Sequence, residues 1–150
     1  MLETKIPPPI VGLLFALLIW WLASLTPPLI SGQLGLIPGV ILLITGIGFA
    51  VSGGISFHRA KTTVNPLKPE TANSLVTSGV YRYTRNPMYL GLAIILLAWT
   101  LYLGAPAGLL GVVGFMAYIQ RFQIIPEERA MAELFGDQFS NYKTEVRRWL

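Results

Sequence analysis

Two long stretches of the chain carry no ionisable side chain of the acidic, basic or imidazole kind. No Asp, Glu, Lys, Arg or His occurs from Ile6 to Phe57, and none from Asn86 to Gln120. Within them, apolar runs over 9–25, 34–57, 87–103 and 106–125 predict four helices of membrane-spanning type, the first, third and fourth at the short end of the usual 17–25 residues. Breaks fall at Thr26-Pro27-Pro28 and at Gly104-Ala105-Pro106. The expected fold class is therefore all-α: a multi-pass membrane protein of four transmembrane helices with amphipathic cytoplasmic C-terminal helices. It forms one domain over 1–150, with a cytoplasmic loop at 58–86 and a C-terminal cap at 126–150.

The charges sharpen this picture. The eleven Lys or Arg and seven Asp or Glu lie near the start of the chain, in the stretch from His58 to Arg85, and in the tail from Arg121. A charge at the bilayer centre costs about 2.5–3.5 kcal/mol on insertion scales, so the charged segments gather on one face. With four spans, both ends and the 58–86 loop share that face, and the positive-inside rule makes it cytoplasmic. The expected location is the cytoplasmic membrane of a prokaryote.

Composition agrees. Hydrophobic residues make up 53% and charged residues 12% of the chain, against about 25% charged in soluble proteins. A signal peptide is the alternative for the first span, but its n-region is nearly neutral and no clean cleavage site follows. The chain has no Cys, which excludes disulfides, thiolate nucleophiles and Cys metal sites; no metal site is expected. The net charge of +4 suits loops beside anionic headgroups, and nothing points to nucleic acid. Glycines crowd the second and fourth spans (Gly35, Gly39, Gly46, Gly48, Gly53 and Gly54, then Gly104, Gly108, Gly111 and Gly114), where small residues allow close helix packing.

The polar chemistry concentrates in two segments. The first is Gly79-Val-Tyr-Arg-Tyr-Thr-Arg-Asn-Pro-Met-Tyr-Leu-Gly91, a loop feeding a helix. Pro87 fits the first helical turn, and Asn86 before it is biased to an extended conformation that suits an N-cap. The free N–H groups of that helix make an anion site, with Arg82 and Arg85 just before it and Tyr81, Tyr83 and Tyr89 around it. An interfacial belt of Tyr and Arg is the competing reading. The second segment starts at Pro126-Glu127-Glu128, where Pro126 opens a helix and the acids suit its first turn. Gly136 interrupts it and Asp137 caps a further helix. Phe135, Phe139, Tyr142, Val146 and Trp149 form one apolar stripe. His58 is the one imidazole and reads as an interfacial residue.

Together these segments resemble the membrane-embedded methyltransferases that include isoprenylcysteine carboxyl methyltransferases and phospholipid N-methyltransferases. The resemblance covers 62–149. It rests on Arg85-Asn86-Pro87-Met88-Tyr89-Leu90-Gly91 and on Glu127-Glu128, Phe135-Gly136, Phe139 and Tyr142. It implies an S-adenosylmethionine-dependent methyltransferase acting on a lipid or lipophilic acceptor that enters laterally. Carried over, Tyr81, Arg82, Tyr83, Arg85, Asn86, Pro87, Tyr89, Gly91, Glu127, Glu128 and Tyr142 surround the cofactor, with Arg147 and Arg148 flanking it. Glu127, Glu128 and Asn86 are the catalytic candidates. One of the acids accepts the cofactor's ammonium group; Arg82 or Arg85 and the helix start take its carboxylate; aromatic rings take its adenine. Asn86 matches the phospholipid branch, where the isoprenylcysteine branch usually has His. An NADPH-dependent reductase of the sterol-reductase type and a non-catalytic membrane subunit are the other readings.

Overall fold

Helix starts and stops follow the prolines and glycines of the chain. The computed structural model describes residue 3 and residues 5–29, 32–60 and 74–150. The charges expected in the loop at 61–73 lie outside the described residues. Helix α1 spans Pro8–Ser24 and takes proline in its first turn, where the missing N–H has no helical partner in any case. Helix α2 spans Gly32–Arg59. Gly79 adopts φ +64° and opens a short 3₁₀ turn, Gly79–Arg82. Helix α3 spans Pro87–Leu103 and ends on left-handed Gly104, the usual glycine stop. Helix α4 covers Gly108–Ile119, and α5 covers Ile125–Glu145. No strand occurs among the described residues.

The fourth apolar helix does not end where the sequence suggested. A π-helical turn, Gln120–Ile124, joins α4 to α5 without a break. Pro126 sits in the first turn of α5 with Glu127 and Glu128, as expected, but that helix follows the π turn without a break. Proline removes one backbone donor and crowds the preceding turn. A π turn just upstream loosens that turn, which lets the helix run on. The bend comes later, at Gly136, whose φ of +47° and ψ of −119° suit only a residue without Cβ.

Helix α3 lies against α2 on one side and α1 and α4 on the other. The α2–α3 contact is backbone to backbone: a Cβ on Gly46 would stand 2.7 Å from the Gly91 carbonyl oxygen, and one on Gly91 would stand 2.8 Å from the Ala50 nitrogen. Gly91 is therefore a packing residue at this contact. In α4, Gly108 and Gly111 receive Ile19 of α1, and Gly114 receives Phe15. The core they enclose includes Ile19, Tyr89, Leu96, Phe115, Ile119 and Ile124. An apolar cavity of about 390 Å³ lies between α1, α2 and α3, near Leu43, Ile95 and Trp99. It contains no acid or base and sits toward the end of α3 away from Asn86.

The helix ends segregate by polarity. The Leu29 N–H donates to the Gly104 carbonyl at 2.9 Å, tying the two uncharged links together. At the other end, Phe57 of α2 packs edge-on against Tyr81, with ring centres 5.4 Å apart, and Glu3 meets Arg121. Large apolar side chains of α1 and α2 face outward, among them Leu13, Trp20, Trp21, Ile37 and Ile44, each more than half exposed. Among the described residues, two helices are long and apolar enough to cross a membrane: Leu34–Arg59 and the continuous helix from Gly108. Helices α1 and α3 are apolar over 17 residues each.

The glycine contact gives a stability prediction. Gly91→Ala is expected to lose about 1–3 kcal/mol through overpacking. Gly48→Ala, which meets nothing within 4 Å, should be neutral or gain up to about 1 kcal/mol of helix propensity. Thermal unfolding of the two variants in one detergent tests the contrast.

Candidate functional site

The start of α3, the start of α5 and the segment after α5 converge at the charged end of the bundle. Val146 is extended, and the chain beyond it lies alongside Thr84–Asn86. The Arg85 N–H donates to the Arg147 carbonyl at 3.0 Å. Asn86 Nδ2 donates to the Arg148 carbonyl at 2.9 Å, and Thr84 Oγ1 donates to the same oxygen at 3.3 Å. Thr84 is fully buried, and its hydroxyl also accepts the Asn86 N–H. Asn86 thus spends its amide across the chain. Contrary to expectation, its side chain does not cap α3, and its ψ of 56° is not extended.

The two adjacent acids have different surroundings. Glu128 accepts a two-pronged contact from Arg148, Nε to Oε1 at 3.1 Å and Nη2 to Oε2 at 2.7 Å. Arg85 Nη2 approaches the same Oε1 at 3.1 Å. Paired forks of this kind are among the strongest charged contacts, and the Glu128 hydrogen bond pushes the Arg148 guanidinium above its ordinary range. Glu127 faces the other way and accepts the Tyr89 hydroxyl on Oε1. Its second oxygen has no hydrogen bond, and neither oxygen has a cation partner, among the described residues. Glu127 lies two residues beyond the apolar run that ends at Ile125. Burial pushes its carboxyl up to about 8; the Tyr89 hydrogen bond opposes the shift and the Glu128 charge adds to it.

Aromatic side chains complete the cluster. Tyr142 donates its hydroxyl to the Tyr81 carbonyl at 2.7 Å. Burial raises the Tyr81 phenol, helped by Tyr142 and Glu127, and burial likewise raises Tyr142, so both remain neutral. Phe139, Tyr142 and Val146 pack together with Leu75, Met131 and Phe135. Trp149 leaves that stripe, packs on the main core and donates Nε1 to Gln120 Oε1 at 3.2 Å.

Of the residues expected around a cofactor, Tyr81, Arg85, Asn86, Pro87, Tyr89, Glu127, Glu128 and Tyr142 are brought into this region. Arg82 and Tyr83 point to the surface, Tyr83 with 72% exposure. Gly91 lies in the α2 contact. Thr84 and Gln123 escaped the sequence reading. A buried hydroxyl inside a loop motif and one amide in an apolar run carry no periodic signal.

Comparison with known proteins follows the same segments. A family model described as phospholipid methyltransferase matches residues 34–138. A protein of Arabidopsis thaliana, Protein-S-isoprenylcysteine O-methyltransferase A, is 32% identical over 111 residues, covering 72% of this chain and 55% of that protein. The chain thus spans about half the length of that relative. An uncharacterized protein of Haemophilus influenzae is 52% identical over 63 residues, all of its length and 42% of this chain. No solved structure matches the chain.

The Glu127 environment predicts a pH slope in stability. A carboxyl at 4.5 in the unfolded chain and about 8 in the folded one binds more protons when folded. The contribution of Glu127 to stability is then fully present below pH 4.5, falls as pH rises toward 8, and levels off above it. Glu127→Gln should flatten the slope between those limits, as read by thermal unfolding across pH in one detergent.

Proposed function

The chain belongs to the phospholipid methyltransferase family, and on that premise we propose that it transfers a methyl group from S-adenosylmethionine to a lipid or lipophilic acceptor at the cytoplasmic membrane face. The observation that carries this reading is Glu127, a half-buried acid that has no cation partner among the described residues, next in sequence to the Glu128 that holds a guanidinium with orphaned donors. Arg85 Nε and Nη1 are buried and have no partner among the described residues. S-adenosylmethionine carries a sulfonium, an ammonium and a carboxylate, and this set fits them: Glu127 accepts the ammonium, while Arg85 and the start of α3 take the carboxylate.

When bound, the cofactor supplies an activated methyl group for direct displacement. The chain's own work is alignment and exclusion of water. Tyr89 holds Glu127 in place through its hydroxyl. Glu128 is engaged by Arg85 and Arg148, so its role is to fix the chain around the site. Asn86 binds the segment after α5 across the entrance to α3. Tyr81 and Tyr142 supply flat apolar surface for adenine. Where the acceptor is an amine, Glu127, which no arginine engages among the described residues, is the group to take its proton; a carboxylate acceptor needs no base.

The charge pattern supports a single four-span domain with both ends inside, because the described charges gather at one end of the bundle and the uncharged links at the other. The acceptor is of lipid type by family, and the plant relative's name adds a prenylated carboxylate to the candidates.

The test is transfer of radiolabelled methyl from S-adenosylmethionine into membrane lipid extract and into prenylcysteine by the purified protein. Label is expected in one of these pools. Glu127→Ala and Asn86→Ala should each weaken S-adenosylmethionine binding by about tenfold or more, while Glu133→Gln on the exposed face binds as wild type. Stabilisation by NADPH with none by S-adenosylmethionine would overturn the reading.

A further inference from the structure

Glu3 and Ile6 touch the π turn at two points and α5 at a third. Glu3 Oε1 accepts Arg121 Nη1 at 2.9 Å, and Oε2 accepts Arg129 Nη2 at 2.9 Å. One carboxylate thereby spans from inside the π turn to the second turn of α5. Between these two arginines, Gln123 Nε2 donates to the Ile6 carbonyl at 2.7 Å. Gln123 is fully buried, so that amide contact is shielded from water and from competing partners. Ile6 itself packs on the main core, and the prolines Pro7 and Pro8 that follow stiffen the chain into α1.

The turn being held has a direct bearing on the acids. A π turn carries one residue more than an α turn, and one residue corresponds to about 100° of rotation about the helix axis. The presence of that extra residue therefore fixes which way α5 presents Glu127 and Glu128. Such turns are rare and occur mostly as single turns inside α-helices, where the contacts around them decide whether the wide winding is kept. The hydrogen bond from Arg121 holds the Glu3 carboxyl below the usual carboxylate range, so the link is ionised at neutral pH.

The geometry points to Glu3 and Ile6 as a brace that holds the π turn, with Glu3 and Gln123 as positioning residues for Glu127. This rests on the proposed role of Glu127 in holding S-adenosylmethionine. Glu3 and Gln123 act through the turn and touch neither reactant.

The experiment uses the full chain in one detergent and two readouts. The first is backbone hydrogen exchange over residues 120–130 without cofactor; the second is S-adenosylmethionine affinity with steady-state methyl transfer. Glu3→Gln is expected to speed exchange in that window and to raise the KM for S-adenosylmethionine about three- to tenfold, with a smaller change in kcat. Gln123→Leu should do the same more strongly. The charge exchange Glu3→Arg with Arg121→Glu and Arg129→Glu should restore protection and KM, which a loss of general stability would not allow. Lys5→Ala should change neither readout. Unaltered exchange in Glu3→Gln and Gln123→Leu overturns the brace, and so does faster exchange with unchanged KM. If the wild-type protein binds no S-adenosylmethionine, the functional reading falls, and exchange with its rescue by charge reversal still decides whether the brace exists.

Discussion

One carboxylate organises the charged end of this protein. Glu128 meets Arg85 from the loop before α3 and Arg148 from the segment after α5, so three stretches distant in sequence depend on a single side chain. Both Arg85 and Glu128 are mostly buried. In such surroundings an ion left alone is strongly unfavourable, and a pair is tolerated when its remaining hydrogen-bonding groups are also satisfied. The carboxylate meets that condition, since both its oxygens are engaged. Arg85 does not, because two of its donors remain without a partner among the described residues. Arg85 therefore keeps two donors free of any partner among the described residues while Glu128 keeps no free oxygen.

The division between the two acids follows from helix geometry. Neighbouring positions on a helix point about 100° apart, so a doublet cannot serve one partner. Glu128 turns to the arginines and Glu127 to Tyr89. The same sequence element thus supplies a fixed anion for structure and a carboxyl that exchanges its proton near neutrality. A cation arriving beside Glu127 draws it into the ionised form; an empty neighbourhood leaves it neutral.

Much of the architecture is legible in the order of residues. The charge-free stretches mark the apolar helices, and Pro87 and Gly104 bound α3 to the residue. Pro87, Tyr89, Glu127, Glu128 and Tyr142 reach the site on α3 and α5, where regular winding links spacing to direction, while Tyr81, Arg85 and Asn86 come from the segment before α3. Reading fails where the backbone leaves that regularity. The 3₁₀ turn at Gly79–Arg82 sends Arg82 and Tyr83 outward although they sit inside the motif. Pro126 stands in the first turn of α5 as its place suggests, but nothing in the local pattern marks Gln120–Ile124 before it as a π turn. Asn86 reads as a cap from its place before proline, and is drawn off by a carbonyl 62 residues away. Glu3 meeting Arg129 across 126 residues leaves no trace in local pattern.

The continuous helix through Gln120–Ile124 also decides what a change of length would do. Loss of one residue from that wide turn would tighten it to ordinary winding, and because the turn takes up its extra residue locally, both acids would keep their directions. Tightening with every residue kept would instead roll α5 by about 100° and carry Glu127 away from Tyr89.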